Sequence, residues 1–247
     1  MKTRLLSALS VVLLIFTTSC SFTENITINE DGTGSMSLDM DASELMAMAG
    51  DEIAKSGEKR VDSTMSFKEL LAEKKDSIAK LPQEEQDRLK KLENFSIKML
   101  MDPETQEFKF SLLSDFKKVE DMGDMMDSFD KANPMNSKKP EGAPDFGLDK
   151  YKTQSKYAYN GKKFTKTVSR KESLPETKEE GEDTMEMMRG MLESSTYTIN
   201  YNFPKKVKSV SNKNATISAD KKTVTVIYPF TDYMDKPDAM SVEVEFE

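Results

Sequence analysis

The sequence has no histidine and no tryptophan, and Cys20 is its only cysteine. A single cysteine excludes an internal disulfide. Without histidine there is no imidazole base, no Cys/His zinc site and no histidine-ligated haem. Zinc held by carboxylates alone would be unusual chemistry. A basic block is also missing. The 36 basic and 44 acidic residues leave a formal charge of −8. Nucleic-acid affinity rests on neutralising phosphates, so this is a poor chain for that partner. Long apolar runs are equally scarce. The longest, Leu5 to Phe16, has twelve residues and is interrupted by Ser7 and Ser10. A membrane-spanning helix needs about 20.

Twelve is the length of a signal-peptide core. Met1-Lys2-Thr3-Arg4 supplies the short basic start, and Thr17-Thr18-Ser19 leads into Cys20. Small residues just before a cysteine resemble the lipobox of bacterial lipoproteins. Thr18 and Ser19 match it, whereas Thr17 stands where that pattern usually has an aliphatic residue. The resemblance implies cleavage before Cys20, a diacylglycerol thioether on its sulfur, and acylation of the new amine. More than one chain is needed because a single acyl chain binds membranes only marginally. Residues 1–19 are therefore read as a lipoprotein signal and residues 20–247 as one envelope domain of 228 residues. Loss of Lys2 and Arg4 takes the formal charge from −8 to −10. An acylated Cys20 leaves no free thiol for catalysis.

The remaining pattern is mostly period two. Phe22, Ile26 and Ile28 alternate with Thr23, Asn25, Thr27 and Asn29, and after the turn Glu30–Gly34 the alternation resumes at Met36, Leu38 and Met40. Phe95, Ile97, Met99 and Met101 pair in the same way with Phe108, Phe110 and Leu112 across Pro103-Glu104. Tyr151–Tyr159 and Lys162–Arg170 flank Asn160-Gly161, a strong hairpin signal. Tyr197 to Phe203, Val224 to Tyr228 and Val242 to Phe246 complete nine or ten strands. Helices are predicted from Asp41 to about Lys55 with Leu45, Met48 and Ile53 inward. A second helix opens at a Ser66/Glu69 capping box, and others run from Gln83 to Leu92, Val119 to Ala132, and from Asp183 or Thr184 to Leu192. Residues 133–147 and 172–182 read as loops. The expected fold is α+β, a mostly antiparallel sheet built from hairpins with helices packed on one face.

Few residues point to chemistry. Asn29-Glu30-Asp31-Gly32-Thr33-Gly34 can be laid on a calcium loop, but the twelfth position would be Met40 instead of a bidentate Glu, so a hairpin turn is the better reading. The 18 methionines cluster. Met122, Met125, Met126 and Phe129 follow helical spacing, as do Met185, Met188 and Leu192, with Met187 and Met191 beside them. Core packing is the first account. A soft apolar groove and a Cu(I) site are alternatives. Ser-x-x-Lys recurs at Ser56, Ser77, Ser114, Ser128 and Ser218 without the companion motifs of penicillin-binding enzymes. No phosphate-binding glycine loop or nucleophile elbow occurs. Carboxylate pairs could serve a hydrolase, but with 44 acids pairs are inevitable. The sequons at Asn25, Asn94 and Asn214 read as ordinary strand residues. No catalytic, cofactor-binding or metal-ligating residue is assigned, and no cofactor is expected.

Two segments carry a resemblance. One is Cys20 followed by Ile26-Thr27-Ile28-Asn29-Glu30-Asp31-Gly32-Thr33-Gly34. The other is Tyr201-Asn202-Phe203-Pro204, Val207, Val210-Ser211-Asn212, and Ala215 to Asp220 before Lys222–Val226. Together they resemble uncharacterised Bacteroidota-like lipoproteins and, distantly, LppM-type lipoprotein domains. The resemblance implies an α+β envelope domain and brings no catalytic residues. LppM-type proteins often add a C-terminal spanning helix, whereas this chain ends on a strand at Glu247, which would leave the lipid as the anchor. The expectation is a lipid-anchored, non-catalytic binding module of the cell envelope, most naturally on the outer membrane facing the periplasm. Its partner would be an unknown envelope protein, or an apolar ligand in a Met-lined groove between helices and sheet. Cys20→Ala is expected to abolish incorporation of labelled palmitate; unchanged labelling would refute the lipidation assignment.

Overall fold

The computed structural model describes residues 20–48, 59–123, 153–171, 189–190 and 192–247. Among them lie twelve strands: β1 (Ser21–Ile28), β2 (Gly34–Asp41), β3 (Val61–Ser66), β4 (Phe95–Asp102), β5 (Glu107–Phe116), β6 (Thr153–Tyr159), β7 (Lys163–Arg170), β8 (Thr196–Asn202), β9 (Val207–Val210), β10 (Thr216–Ile217), β11 (Thr223–Pro229) and β12 (Val242–Phe246). Five short helices join them: α1 (Ser43–Met48), α2 (Phe67–Glu73), α3 (Lys75–Ile78), α4 (Gln83–Lys90) and α5 (Phe230–Asp235), with a 3₁₀ turn at Pro237–Met240.

The strands form an eight-stranded sheet, in the order β10-β11-β8-β1-β2-β5-β4-β3, and a four-stranded sheet, β6-β7-β12-β9. All pairings are antiparallel except β1 with β8. The alternation seen in the sequence sorts the side chains. Ile26, Ile28, Met36, Ile199, Tyr201, Val224 and Val226 turn inward from the large sheet. They meet Phe164, Val168, Val242, Val244 and Phe246 from the small one. Phe164 lies 5.4 Å from both Tyr201 and Phe203 between ring centroids, which places the sheets face to face. The opposite face of the large sheet is mostly polar, with Leu113 and Ile227 exposed on it. There Thr225 donates to Asn200, Asn200 to Asn25, and Asn25 to Ser37 and Asp39 at 2.8–3.1 Å across four adjacent strands.

The α+β class holds, but the cover on the apolar face differs from expectation. Over β11, β8, β1 and β2 the covering layer is the small sheet. Among the described residues helices cover two further places. Phe67 of α2 and Leu89 of α4 pack on Leu92, Phe95 and Leu112 at the other wing, and Phe230 and Tyr233 of α5 pack on Phe22 and Tyr197 at one end of β1 and β8. The reason is width: a four-stranded layer cannot cover eight strands, and the exposed wing must bury its apolar side against something else. The strand β3 was not foreseen because only Val61 and Met65 in it are apolar, and it forms a largely exposed edge. Ser66 ends β3 and precedes α2, but its hydroxyl makes no capping bond, so the capping box is not formed. In α1 the buried methionine is Met46. Of the side chains expected to point inward, those of Leu45 and Met48 are not described, and Ile53 lies outside the described residues, as do the loops 133–147 and 172–182.

Two turns close as their residues require. Gly32 has φ +83° and Gly161 has φ +76°, a region disfavoured for residues with a Cβ. In the first turn Asp31 accepts from the Thr33 amide at 3.0 Å and hydroxyl at 2.7 Å, which holds its carboxyl below the usual range. The segment 29–34 is thus a hairpin turn locked by its own side chains. Gly34 is needed for a different reason: a Cβ there would meet the Thr27 carbonyl oxygen and the Phe116 ring, at 2.5 Å from Phe116 Cζ.

Candidate functional site

The inward parity of β1 contains one residue that does not belong to an apolar face, Glu24. It is 5% exposed. Lys166, at the inward parity of β7 between Phe164 and Val168, is 4% exposed. The packing of β1 against β7 brings the two together: Lys166 Nζ donates to Glu24 Oε1 at 2.9 Å and Oε2 at 2.8 Å. Two phenols complete the shell. Tyr197 of β8 donates to Oε2 at 2.9 Å and Tyr157 of β6 to Oε1 at 3.3 Å. The Lys166 ammonium also stands 5.5 Å from the centroid of the Tyr157 ring. Burial of a charge is tolerated only when it is paired and hydrogen-bonded, and both conditions are met.

This network lies in the wall of a cleft of about 320 Å³. The small sheet ends at β6, and the large sheet continues beyond it through β2 and β5. Beyond the β6 edge these strands supply the buried Met36 and Leu112 and the half-buried Leu38 and Phe110. The β6 edge contributes Thr153, Gln154 and Ser155, and Val168, Tyr233 and Met240 complete much of the apolar lining. Gly123 sits against that edge so closely that a Cβ would meet the Ser155 carbonyl oxygen. A volume of this size is at the lower end of small-molecule sites, and a mostly apolar lining with a few convergent polar groups is their usual composition.

Electrostatics favour neutral phenols here. Burial, followed by the negative charge of Glu24, pushes the Tyr157, Tyr197 and Tyr201 hydroxyls well above the ordinary phenol range. Tyr228 is pushed to about 12 by the same two causes. Glu24 is the sole carboxylate among the described lining residues, and both its oxygens are engaged. A two-carboxylate hydrolase arrangement therefore finds no support in this cleft.

Cys20 stands at the threshold of β1. Its carbonyl accepts from the Thr196 amide at 3.4 Å, its side chain is 4% exposed, and Ser195 lies against its thiol. Burial, then Glu44 and Asp41, raise that thiol above its usual range, the opposite of what a reactive cysteine needs. Among the methionines, Met36 and Met240 line the cleft, and Met122 is fully buried in the core. Met125, Met126, Phe129, Met185, Met187, Met188 and Met191 lie outside the described residues. The groove expected between Met-rich helices and sheet therefore lies largely outside the described residues; the cleft the described residues form lies between the two sheets, with Met36 and Met240 in its lining. No group of three or more Cys, Asp or Glu residues is placed to hold a metal ion among the described residues.

Glu24, Lys166, Tyr157 and Tyr197 were not singled out from the sequence. The signal was present as a parity fault: an acid on the apolar side of β1 and a base on the apolar side of β7.

No protein-family model matches the chain, and no curated protein matches it. Among solved structures it is similar to the folded domain of LppM from Mycobacterium tuberculosis, determined by NMR, at 8% identity, covering 95% of this chain and 94% of that one with a TM-score of 0.42.

The buried phenols give a direct test. Seven tyrosines are present. In the fold, Tyr157, Tyr197 and Tyr201 keep their protons; unfolded, they release them near pH 10. Their burial therefore adds no pH dependence below that value, and stability falls as pH rises above it toward their folded-state range. Absorbance titration should show these three phenolates appearing together with loss of circular dichroism. Ionisation of all seven near pH 10 with the fold intact would contradict their burial.

Proposed function

We propose that this chain is a lipid-tethered, non-catalytic binding module of the cell envelope that holds an apolar ligand in the cleft between its sheets. The observation that carries the reading is the cleft itself: Leu38, Phe110, Leu112 and Val168 lie beside the Glu24–Lys166 pair, whose two charges neutralise each other. A ligand entering it meets apolar surface and hydrogen-bonding edges but no unbalanced charge at the Glu24–Lys166 pair. That suits the chain of an amphiphile. The second reading, a module that docks an envelope protein, would rest on the exposed Leu113, Ile217 and Ile227, which among the described residues form no cleft comparable to this one.

The address comes from the N-terminus. A signal ending in Thr18-Ser19-Cys20 supports acylation of Cys20, and one acid in Ser21-Phe22-Thr23-Glu24 supports retention on the periplasmic face of the outer membrane instead of surface display. Among the described residues no helix is long and apolar enough to cross a membrane.

A chain lacking residues 1–19, with Cys20→Ser for solubility, should bind a single-chain fluorescent fatty acyl probe in water. Leu38→Trp, which fills the cleft floor, should weaken binding by about tenfold or more, equivalent to ~1.4 kcal/mol. Thr198→Trp, on the polar outer face, should leave it unchanged. Equal affinity in both variants, or no binding by the parent, would refute the cleft as the site.

A further inference from the structure

The cleft and Cys20 share one end of the molecule. Ser21 is in register with Asp41 on β2 and with Thr196 on β8, and Thr196 pairs with Pro229 at the end of β11. The helix α5 follows directly, so its Tyr233 lies at this end. The small sheet is aligned the same way: Thr153 Oγ1 is 3.5 Å from Tyr233 Oη, and Arg170 donates to the Met234 carbonyl at 2.7 Å. At the opposite end a Cβ on Gly32 would be 3.8 Å from Tyr159 Cδ1. Thr153, Lys171 and Tyr233, all half-buried, therefore bring the cleft out toward the Cys20 end.

No linker separates Cys20 from the fold. Ser21 is already in the sheet, and the Cys20 carbonyl is already hydrogen-bonded to Thr196. A flexible linker of n residues spans roughly 5–6 Å × √n, and here n is zero. An acyl anchor at Cys20 would hold this end of the sandwich against the headgroups.

We infer that the cleft is loaded from the bilayer in which the chain is anchored, taking one acyl chain of a lipid of that leaflet past Thr153, Lys171 and Tyr233. The inference rests on the binding and anchoring proposed above and adds the source and the direction of entry. The volume of about 320 Å³ suits one chain and not a whole two-chain lipid. The lipid on Cys20 itself is the less fitting occupant. Phe22 and Phe230, with ring centroids 4.3 Å apart, stand between Cys20 and Glu24 on the inward side of β1.

The test uses the mature acylated protein in vesicles of phosphatidylethanolamine and phosphatidylglycerol containing a trace of pyrene-acyl phospholipid. Loading is read as pyrene protected from an aqueous quencher. A second protein carries twelve Gly/Ser residues between Cys20 and Ser21, which keeps the anchor but frees the orientation. Its thermal midpoint is expected to match the parent, and its loading rate is expected to fall at least about fivefold. Binding of the water-soluble acyl probe by the unacylated form should be unaffected by the insertion. Equal loading rates with and without the insertion would overturn the inference while leaving the cleft as a binding site. Absence of soluble-probe binding would instead overturn the cleft reading and this inference with it. A cleft open to the soluble probe in unacylated protein but closed in acylated protein would identify the Cys20 lipid as the occupant, and would also overturn it.

Discussion

Glu24 and Lys166 are the constraint around which the interior is arranged. Two opposite charges, each about one-twentieth exposed, cannot be left apart in an apolar layer. Their contact joins the first strand of the large sheet to the second strand of the small one across 142 positions of sequence. It is extended by Tyr197 from a neighbouring strand and Tyr157 from the β6 edge. A pair of this kind is weak evidence for stability, because apolar residues of similar volume often do as well. What it sets here is position. It ties the small sheet to one register over β1 and puts polar atoms in an otherwise apolar cleft.

The cleft follows from a mismatch of widths. Eight strands present more apolar face than a four-stranded sheet can cover, and among the described residues α2, α4 and α5 add cover at its margins. The small sheet stops at β6, α2 and α4 cover the far wing, and the strip of β2 and β5 near Leu38 and Phe110 lines the opening. The same topology puts β1 in the middle of the large sheet, between β8 and β2, directly after Cys20. An anchor there would load the centre of the sheet instead of a loose end. Position of the cleft and absence of a linker are thus two consequences of one strand order.

Local pattern made the strands legible and left their partners open. Phe22, Ile26 and Ile28, or Val224, Val226 and Tyr228, announce a half-buried strand from period two alone. Asn160-Gly161 and the Asn29–Gly34 turn announce which neighbours are hairpins. Nothing local says that β1 lies parallel to β8, whose residues Asn25 and Asn200 are 175 positions apart. Nor does it say whether a second sheet or helices cover the apolar face, since both require the same alternation. β3 was hidden because an exposed edge strand has little apolar face to display, and β10 because two residues carry no period. Glu24 was visible as a fault in the pattern of β1, but its meaning depended on a matching fault in β7. A long-range contact between charges leaves no mark on either strand beyond that fault.

The most direct measurement is a double-mutant cycle on the ion pair, read by chemical unfolding. Lys166→Met strands the Glu24 carboxylate in the interior and is predicted to cost about 3–5 kcal/mol. Adding Glu24→Leu removes the stranded charge and is predicted to restore most of that loss. A single substitution costing no more than an exposed pair, about 0–1 kcal/mol, or a double variant no more stable than the single one, would contradict the placement of this pair at the centre of the fold.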